Sequence, residues 1–260
     1  MSPAEIYEQR FVPALFGPWG ERVAQLAGVE AGDACLDVGC GTGALTRALA
    51  ARAGDPARVV GLDPQAAMLE VAARAVPGVA WVEGEAGALP FDDQRFDRVA
   101  SQFAFMFVPE PANALREMVR VTRSGGSVTV ATCAAVERSA AYAVLTEVLH
   151  RLFGVEVADA FRAPFVLGTE AHLAQIADAA GLAADGHEVE VRQVDGTATF
   201  PSIRALVETE RACAWTLGGL LDDAQFEALH AACEVALAPF TNDRGVRFSM
   251  PSIVLRITRR

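Results

Sequence analysis

Short apolar runs alternate with segments of helical periodicity along the first half of the chain. Strand patterns occur at 36–38, 59–63, 81–83, 96–102 and 128–131, and helical patterns begin at Ala44, Gln65 and Ala112. This alternation is typical of parallel strands joined by crossover helices. It predicts an α/β fold with a doubly wound, mostly parallel sheet.

The second half of the chain predicts two more strands and several helices. Glu188 to Val194 alternates charged and apolar residues, as a half-exposed sixth strand would, and Ser252 to Ile257 predicts the last strand. Helical periodicity covers residues 135–153, 169–180, 203–217 and 223–237. The segment 200–245 is far longer than a hairpin loop of roughly 2–5 residues. It is either a lid over a ligand pocket or a dimer interface.

The beginning of the chain is rich in aromatic residues. Residues 5–29 predict one or two helices, interrupted by Pro13 and by Gly17-Pro18. The aromatic side chains of this leader either fold over a bound ligand or dock an amphipathic helix on the sheet.

A glycine-rich turn follows the first strand. Asp37 stands in that strand, and Gly39, Gly41 and Gly43 alternate before the helical segment at Ala44. Without a Cβ atom the backbone can approach a ligand closely, and the N–H groups of a starting helix favour a polar or negatively charged group. The turn therefore predicts a cofactor site. A dinucleotide site is the alternative, but an acid directly before the glycines and a long leader disfavour it.

A second acid ends the next strand. Asp63 follows a buried run, and Pro64 can open the helix after it. A carboxylate at this position can accept two hydrogen bonds from hydroxyl groups, or it can cap the helix. Met68, one turn further, either covers a flat ring with its thioether or belongs to the core.

Four segments in this order resemble the motifs of the class I S-adenosylmethionine (SAM)-dependent methyltransferases. They are the glycine turn, Asp63, the segment 84–91 with the pattern G-E-A-x-x-L-P-F, and Phe96–Val99 followed by the turn Arg123–Gly126. The resemblance covers residues 33–133. It is closest to the small-molecule group that includes the ubiquinone- and menaquinone-biosynthesis methyltransferases.

The resemblance implies SAM as the cofactor and a role for each matching residue. Asp37 would help to hold the methionine end, Asp63 the ribose, and Glu85 and Ala86 the adenine, with Glu85 standing where the family usually has Asp. The implied cofactor-binding residues are Asp37, Gly39, Cys40, Gly41, Gly43, Asp63, Pro64, Met68, Glu85, Ala86, Ser101 and Gln102.

The resemblance also implies a Rossmann-like, seven-stranded sheet whose last strand is antiparallel. We expect N-terminal helices and a helical insertion before the last strand. The chain would then be one class I methyltransferase domain, 1–260, with a helical cap at 1–30, a SAM-binding core at 33–133 and a lid insertion at 200–245.

The reaction implied is methyl transfer to a small apolar or aromatic metabolite. Candidate acceptor-binding residues are Phe16, Trp19, Phe103, Met106 and Trp215, with Phe226 and Phe240 as further candidates in the insertion. The four histidines are His150, His172, His187 and His230, and the candidate general bases are His187, at the sixth strand, and Tyr7. A SAM-fold protein without methyl transfer, such as a cyclase or a ligand-binding regulator, is the alternative, followed by a NAD(P)-dependent oxidoreductase.

Composition excludes several classes of protein. The 33 acids and 22 bases give a formal charge of −11, which disfavours a nucleic-acid partner. All the bases are arginine, so chemistry that needs a Schiff-base or phosphate-loop lysine is excluded. The five cysteines lack metal-ligand spacing, so we expect reduced thiols and no metal site. No membrane span or signal peptide is predicted, so we expect a cytoplasmic monomer or homodimer.

Overall fold

The computed structural model describes residues 2–213 and 215–260. Its strands are β1 (Cys35–Val38), β2 (Val59–Asp63), β3 (Ala80–Glu83), β4 (Phe96–Gln102), β5 (Thr122–Cys133), β6 (Glu188–Val194), β7 (Thr197–Phe200), β8 (Thr241–Asn242), β9 (Gly245–Ser249) and β10 (Ser252–Thr258). Seven of them form one sheet in the order β3-β2-β1-β4-β5-β10-β6.

The direction of these strands matches the sequence-based prediction. β3, β2, β1, β4 and β5 are parallel, and β10 runs antiparallel to both β5 and β6. The carboxyl ends of β1, β2, β4 and β5 therefore meet at one edge of the sheet, where ligands bind in folds of this kind. The expected seven-stranded fold with an antiparallel last strand is confirmed.

Helices cover both faces of the sheet. They are α1 (Pro3–Phe11), α2 (Gly17–Leu26), α3 (Ala44–Ala53), α4 (Ala66–Ala75), α5 (Pro111–Val121), α6 (Ala140–Phe153), α7 (Val155–Arg162), α8 (Glu170–Ala179), α9 (Ile203–Ala212) and α10 (Asp223–Ala236). Gly181 follows α8 with φ +77°, as expected of a residue that ends a helix. Within the described residues no helix is long and apolar enough to cross a membrane.

The N-terminal helical segment differs from the prediction. The two proline positions do not interrupt it, because one turn of π-helix at Val12–Phe16 joins α1 directly to α2. Pro13 stands in the first turn of the π-helical segment and Pro18 in the first turn of α2. The leader is therefore a continuous arm, and its buried Trp19 and Val23 fix it to the sheet.

The predicted insertion contains more than helices. β7 and β9 pair antiparallel, and β8 pairs with β9, which gives a small second sheet around α9 and α10. The first helix of the insertion ends at Ala212 instead of continuing to residue 217. The small sheet was not predicted, because its strands are short and their partners are distant in sequence.

Candidate functional site

A cavity of about 540 Å³ lies at the carboxyl ends of β1, β2, β4 and β5. Its volume is within the range of small-molecule sites. Strand ends and the glycine turn form one part of the wall, and α1, the π-helical turn, α6, α7 and the chain after α9 form the rest. The pocket is thus enclosed by the sheet on one side and by helical segments on the other.

Hydrogen bonds hold the glycine turn against the end of β2. The N–H groups of Gly39 and Cys40 both donate to the carbonyl of Leu62, at 2.8 and 3.0 Å. Gly39 has φ +72°, and a Cβ atom there would lie 2.5 Å from the Cβ of Ala104. A side chain is therefore excluded, which explains the glycine at this position.

Asp63 ties the same turn to α4. Its side chain is only 6% exposed. One carboxylate oxygen accepts from the N–H of Gly41 and the other from the N–H of Gln65, each at 2.9 Å. Burial raises the pKa of Asp63, and the two backbone donors oppose that rise. Each oxygen keeps a further lone pair for a ligand that enters the pocket.

Two other acceptor atoms in the wall are unsatisfied. Asp37 accepts a 2.6 Å hydrogen bond from the hydroxyl of Thr46 with Oδ2, while its buried Oδ1 has no partner among the described residues. Burial raises the pKa of Asp37 to about 7. Gln102 donates from Nε2 to the carbonyl of Phe16 at 2.9 Å, and its buried Oε1 likewise lacks a partner in the described part of the chain. Since buried polar atoms are normally paired, these oxygens fit a ligand that donates hydrogen bonds.

Most of the residues implied in cofactor binding come together in this pocket. The structure brings to its wall Asp37, Gly39, Cys40, Gly41, Asp63, Pro64, Met68, Glu85, Ala86, Ser101 and Gln102. Met68 is buried beside Tyr7 and Trp215. Gly43 is not at the wall, because a Cβ atom there would point at the ring of Trp81, 3.0 Å away. Gly43 therefore serves the packing of α3 on the sheet.

Aromatic rings form the other half of the pocket. Tyr7 stacks on Phe16 with ring centroids 5.0 Å apart, and it meets Trp215 edge to face at 5.9 Å. Phe16 in turn contacts Phe103 at 5.6 Å. Phe103 has φ +52°, a backbone conformation that non-glycine residues rarely adopt and that is common at functional sites. Met106 also lines this half, so four of the five candidate acceptor-binding residues meet here.

The fifth candidate, Trp19, lies in the core. It is 2% exposed, packs edge to face on Phe103, and contacts the backbone at Gly196. Phe226 is likewise buried away from the pocket, beneath Arg204 and Arg211.

The two candidate bases are placed very differently. Tyr7 lines the pocket, and burial raises its pKa well above the ordinary value, so its hydroxyl stays protonated. His187 precedes β6 and therefore lies at the opposite edge of the sheet, where its Nδ1 accepts from the N–H of Arg260 at 3.4 Å. The expectation that His187 faces the site is wrong, because β6 begins at that edge.

A buried acid completes the aromatic half of the pocket, and the sequence analysis did not select it. Glu210 on α9 is 2% exposed and lines the cavity. Its Oε1 accepts a 2.7 Å hydrogen bond from the hydroxyl of Tyr142, and its Oε2 accepts one of 3.1 Å from Thr216. Burial raises the pKa of Glu210 to about 7. The signal was present, since Glu210 follows Ile203, Leu206 and Val207 on the apolar face of its helix.

The wall of the pocket carries acids without bases. Five carboxyl side chains line it, from Asp37, Asp63, Glu85, Glu110 and Glu210. No arginine or histidine among the described residues does so. The described residues also contain no group of three or more histidine, cysteine or acidic side chains arranged to hold a metal ion. The pocket is therefore suited to a cationic or neutral ligand.

Residues 36–130 match the family described as methyltransferase domain. A demethylmenaquinone methyltransferase of Bacillus licheniformis is 40% identical over 113 residues, which are 42% of this chain and 49% of that protein. The chain thus spans about half the length of the curated relatives it matches. The match covers the strands and turns that form the first half of the pocket.

Solved structures share the fold over a longer part of the chain. A SAM-dependent methyltransferase from Aquifex aeolicus has a TM-score of 0.54 at 21% identity, covering 75% of this chain and 92% of that one. A phosphoethanolamine N-methyltransferase from Haemonchus contortus, with phosphomonomethylethanolamine and S-adenosylhomocysteine bound, has a TM-score of 0.61 at 17% identity. It covers 99% of this chain and 57% of that one. At these identities the likeness shows the fold alone.

Proposed function

We propose that this chain, whose residues 36–130 match the methyltransferase domain family, transfers the methyl group of SAM to a small apolar or aromatic acceptor without negative charge. The observation that carries the proposal is the pocket itself. Buried acids at the ends of β1 and β2 border its first half, and aromatic rings border its second half. The buried free cysteines are typical of a reducing compartment, so we place the protein in the cytoplasm.

The residues of the first half fit SAM. Asp63 offers two oxygens with free lone pairs, as a ribose diol requires. The unsatisfied oxygens of Asp37 and Gln102 would accept hydrogen bonds from the ammonium group of the methionine end. Glu85 would accept from the adenine amino group, while Met68 covers the ring. When bound, SAM supplies an electrophilic methyl group on a positively charged sulfur.

The second half of the pocket would orient the acceptor. Rings such as Tyr7, Phe16 and Trp215 bury an apolar or flat molecule and exclude water from it. Alignment of two reactants in this way can supply a large part of a rate enhancement. Acceptors with a carboxylate or phosphate are disfavoured, because no arginine or histidine of the described wall would compensate their charge beside Glu210.

Calorimetric titration with SAM, S-adenosylhomocysteine and NADH tests the proposal. We expect both sulfur ligands to bind, and Asp63→Ala to weaken them at least about tenfold, because charge-assisted hydrogen bonds contribute roughly 1.5–3 kcal/mol each. Asp243→Ala, in the exposed turn after β8, is the matched control and should bind as the wild type does. Binding of NADH alone, or equal affinities in the Asp63 variant, would contradict the assignment.

Transfer itself is measured with a labelled methyl group and a panel of ring compounds. Label in a product that depends on SAM would support the proposed reaction. Binding of SAM without transfer to any member of a broad panel would instead favour a protein that uses the fold without methylation.

A further inference from the structure

The buried carboxyl group of Glu210 lines the pocket, and the proposed function leaves it without a role. It stands in the aromatic half of the cavity and is held from both sides, by Tyr142 on α6 and by Thr216 after α9. Oε1 accepts the hydrogen bond of Tyr142, while Oε2 shares the proton of the Thr216 hydroxyl with the carbonyl oxygen of Glu210 itself, at 3.1 and 3.0 Å. Each carboxyl oxygen keeps a lone pair for another donor. Both hydroxyl groups fix the orientation of the carboxyl, so that it is a rigid part of the wall.

The surroundings of Glu210 contain no compensating cation in the described wall. The titratable groups that sense its charge are Tyr142, Cys133 at the end of β5, and Cys213 after α9, and the pKa of each is raised. Those neighbours are neutral around pH 7 and give no ion pair. A carboxyl group without a cation in a buried site is unfavourable for stability alone, so its presence indicates a functional role.

Glu210 lines the same cavity as the carboxyl ends of β4 and β5. Cys133 is the last residue of β5, beside Ser101 and Gln102 at the end of β4. Cys133, Ser101 and Gln102 line the same cavity as Glu210. An acceptor enclosed by the aromatic rings would therefore share one cavity with Glu210 and the strand ends.

We propose that Glu210 is the residue that accepts the proton of a hydroxyl group on a ring-bearing methyl acceptor, with Tyr142 and Thr216 as its positioning residues. This inference rests on the proposed function. The O–H bond of the acceptor breaks and its proton moves to an oxygen of Glu210. The acceptor oxygen, or a ring carbon that shares its charge, bonds to the methyl carbon as the carbon–sulfur bond breaks, and that electron pair stays on sulfur. When a ring carbon is methylated, that carbon also releases its own hydrogen as a proton to water and the oxygen takes up a proton, which restores the aromatic hydroxyl compound. The proton then leaves Glu210 for water.

A hydroxyl fits this group better than an amine or an acid does. An ammonium group would form an ion pair with the carboxylate. The ion pair favours the protonated form of the amine, whose nitrogen then has no free lone pair to attack the methyl group. An anionic acceptor would be repelled. Burial makes the carboxylate more basic than it is in water, which improves it as the base for a neutral hydroxyl.

Binding of three matched probes tests the recognition step without turnover. We expect 1-naphthol to bind in calorimetry to the protein saturated with S-adenosylhomocysteine, and 1-naphthoate not to bind. Glu210→Gln should weaken 1-naphthol while leaving the affinity for S-adenosylhomocysteine unchanged, which shows that the variant is folded. Glu208→Gln, on the exposed side of the same helix, should leave both affinities unchanged. Preference for 1-naphthoate, or for 1-naphthylamine, which is neutral around pH 7 and is a weaker hydrogen-bond donor than 1-naphthol, would overturn the proposal.

Turnover and its pH dependence test the proton step. We expect Glu210→Gln to lower kcat on 1-naphthol by about 10²–10⁴-fold, the usual contribution of a general base. In the wild type kcat should rise with pH as Glu210 ionises. Tyr142→Phe removes a hydrogen bond that favours the ionised form, so it should move this rise to higher pH. A purely structural role of Tyr142 would not move the profile.

The outcomes separate the two proposals. Methylation that is equally fast in the wild type and in Glu210→Gln would overturn the role of Glu210 and leave the proposed function intact. A methyl ether or a ring-methylated product that depends on Glu210 would support the role. Absence of SAM binding in the wild type would contradict the proposed function, and with it this inference.

Discussion

Ionisation of Glu210 should make the free energy of unfolding depend on pH, and the substitution Glu210→Gln should remove this contribution. The pKa of this carboxyl is raised from its ordinary 4.5 to about 7, because the side chain is buried. Between these values the native carboxyl keeps its proton while the unfolded one has lost it. The unfolded state then binds fewer protons, so the free energy of unfolding falls as pH rises.

The size of the effect follows from the two pKa values. They differ by about 2.5, and one pH unit corresponds to about 1.4 kcal/mol, so ionisation in the folded state lowers stability by about 3 kcal/mol, most of it between pH 5 and 8. Glu210→Gln keeps an oxygen for the hydroxyl of Tyr142 but binds no proton. Its stability relative to the wild type should therefore increase by about 2.5 kcal/mol from pH 5 to pH 8.

Urea unfolding followed by tryptophan fluorescence measures this difference at both pH values. Asp37, whose pKa is also raised, contributes equally to wild type and variant, and its effect cancels in the comparison. Glu208→Gln on the outer side of α9 is the control, and its free energy of unfolding should change with pH as that of the wild type does. If the free energy of unfolding of Glu210→Gln changed with pH as that of the wild type does, the argument that burial raises the pKa of this carboxyl would be refuted.

Two further substitutions test the first half of the pocket and the packing of β2 against Trp81 on β3. Asp37→Asn keeps an acceptor for the hydroxyl of Thr46 but removes the charge at the unsatisfied oxygen, so calorimetry should show S-adenosylhomocysteine binding about 10–100-fold more weakly; an unchanged affinity would contradict this role. Gly61→Ala places a Cβ atom 2.4 Å from the ring of Trp81, so urea unfolding should show a loss of about 1–3 kcal/mol. Equal stability of that variant would mean that the ring moves freely.

The part of the site that the sequence predicts correctly is local in the chain. Asp37 and Asp63 each stand at or near the end of an apolar strand, and parallel strands bring such ends to one edge. The same rule explains the error with His187, which stands before β6 and so falls at the other edge. Gly43 could not be distinguished from its neighbouring glycines, because its contact with Trp81 joins residues distant in sequence.

The aromatic half of the pocket was harder to predict, because its residues are distant in sequence and meet only in the folded chain. Tyr142 and Glu210 belong to helices separated by two other helices and two strands. The sequence pattern of α9 places an acid on an apolar face. It does not identify the hydroxyl group that donates a hydrogen bond to that acid. The small sheet of β7, β8 and β9 depends on similar long-range pairing.

The pocket is formed by two separate parts of the chain, and mutations can change one part without the other. The strand ends that would hold the cofactor lie within residues 36–130, the same stretch that relatives match. Most of the helical wall, including Glu210, comes from outside it. Under the proposed function, mutations in α1, α6 and α9 would thus change the acceptor during evolution while the strand ends within residues 36–130 stay the same.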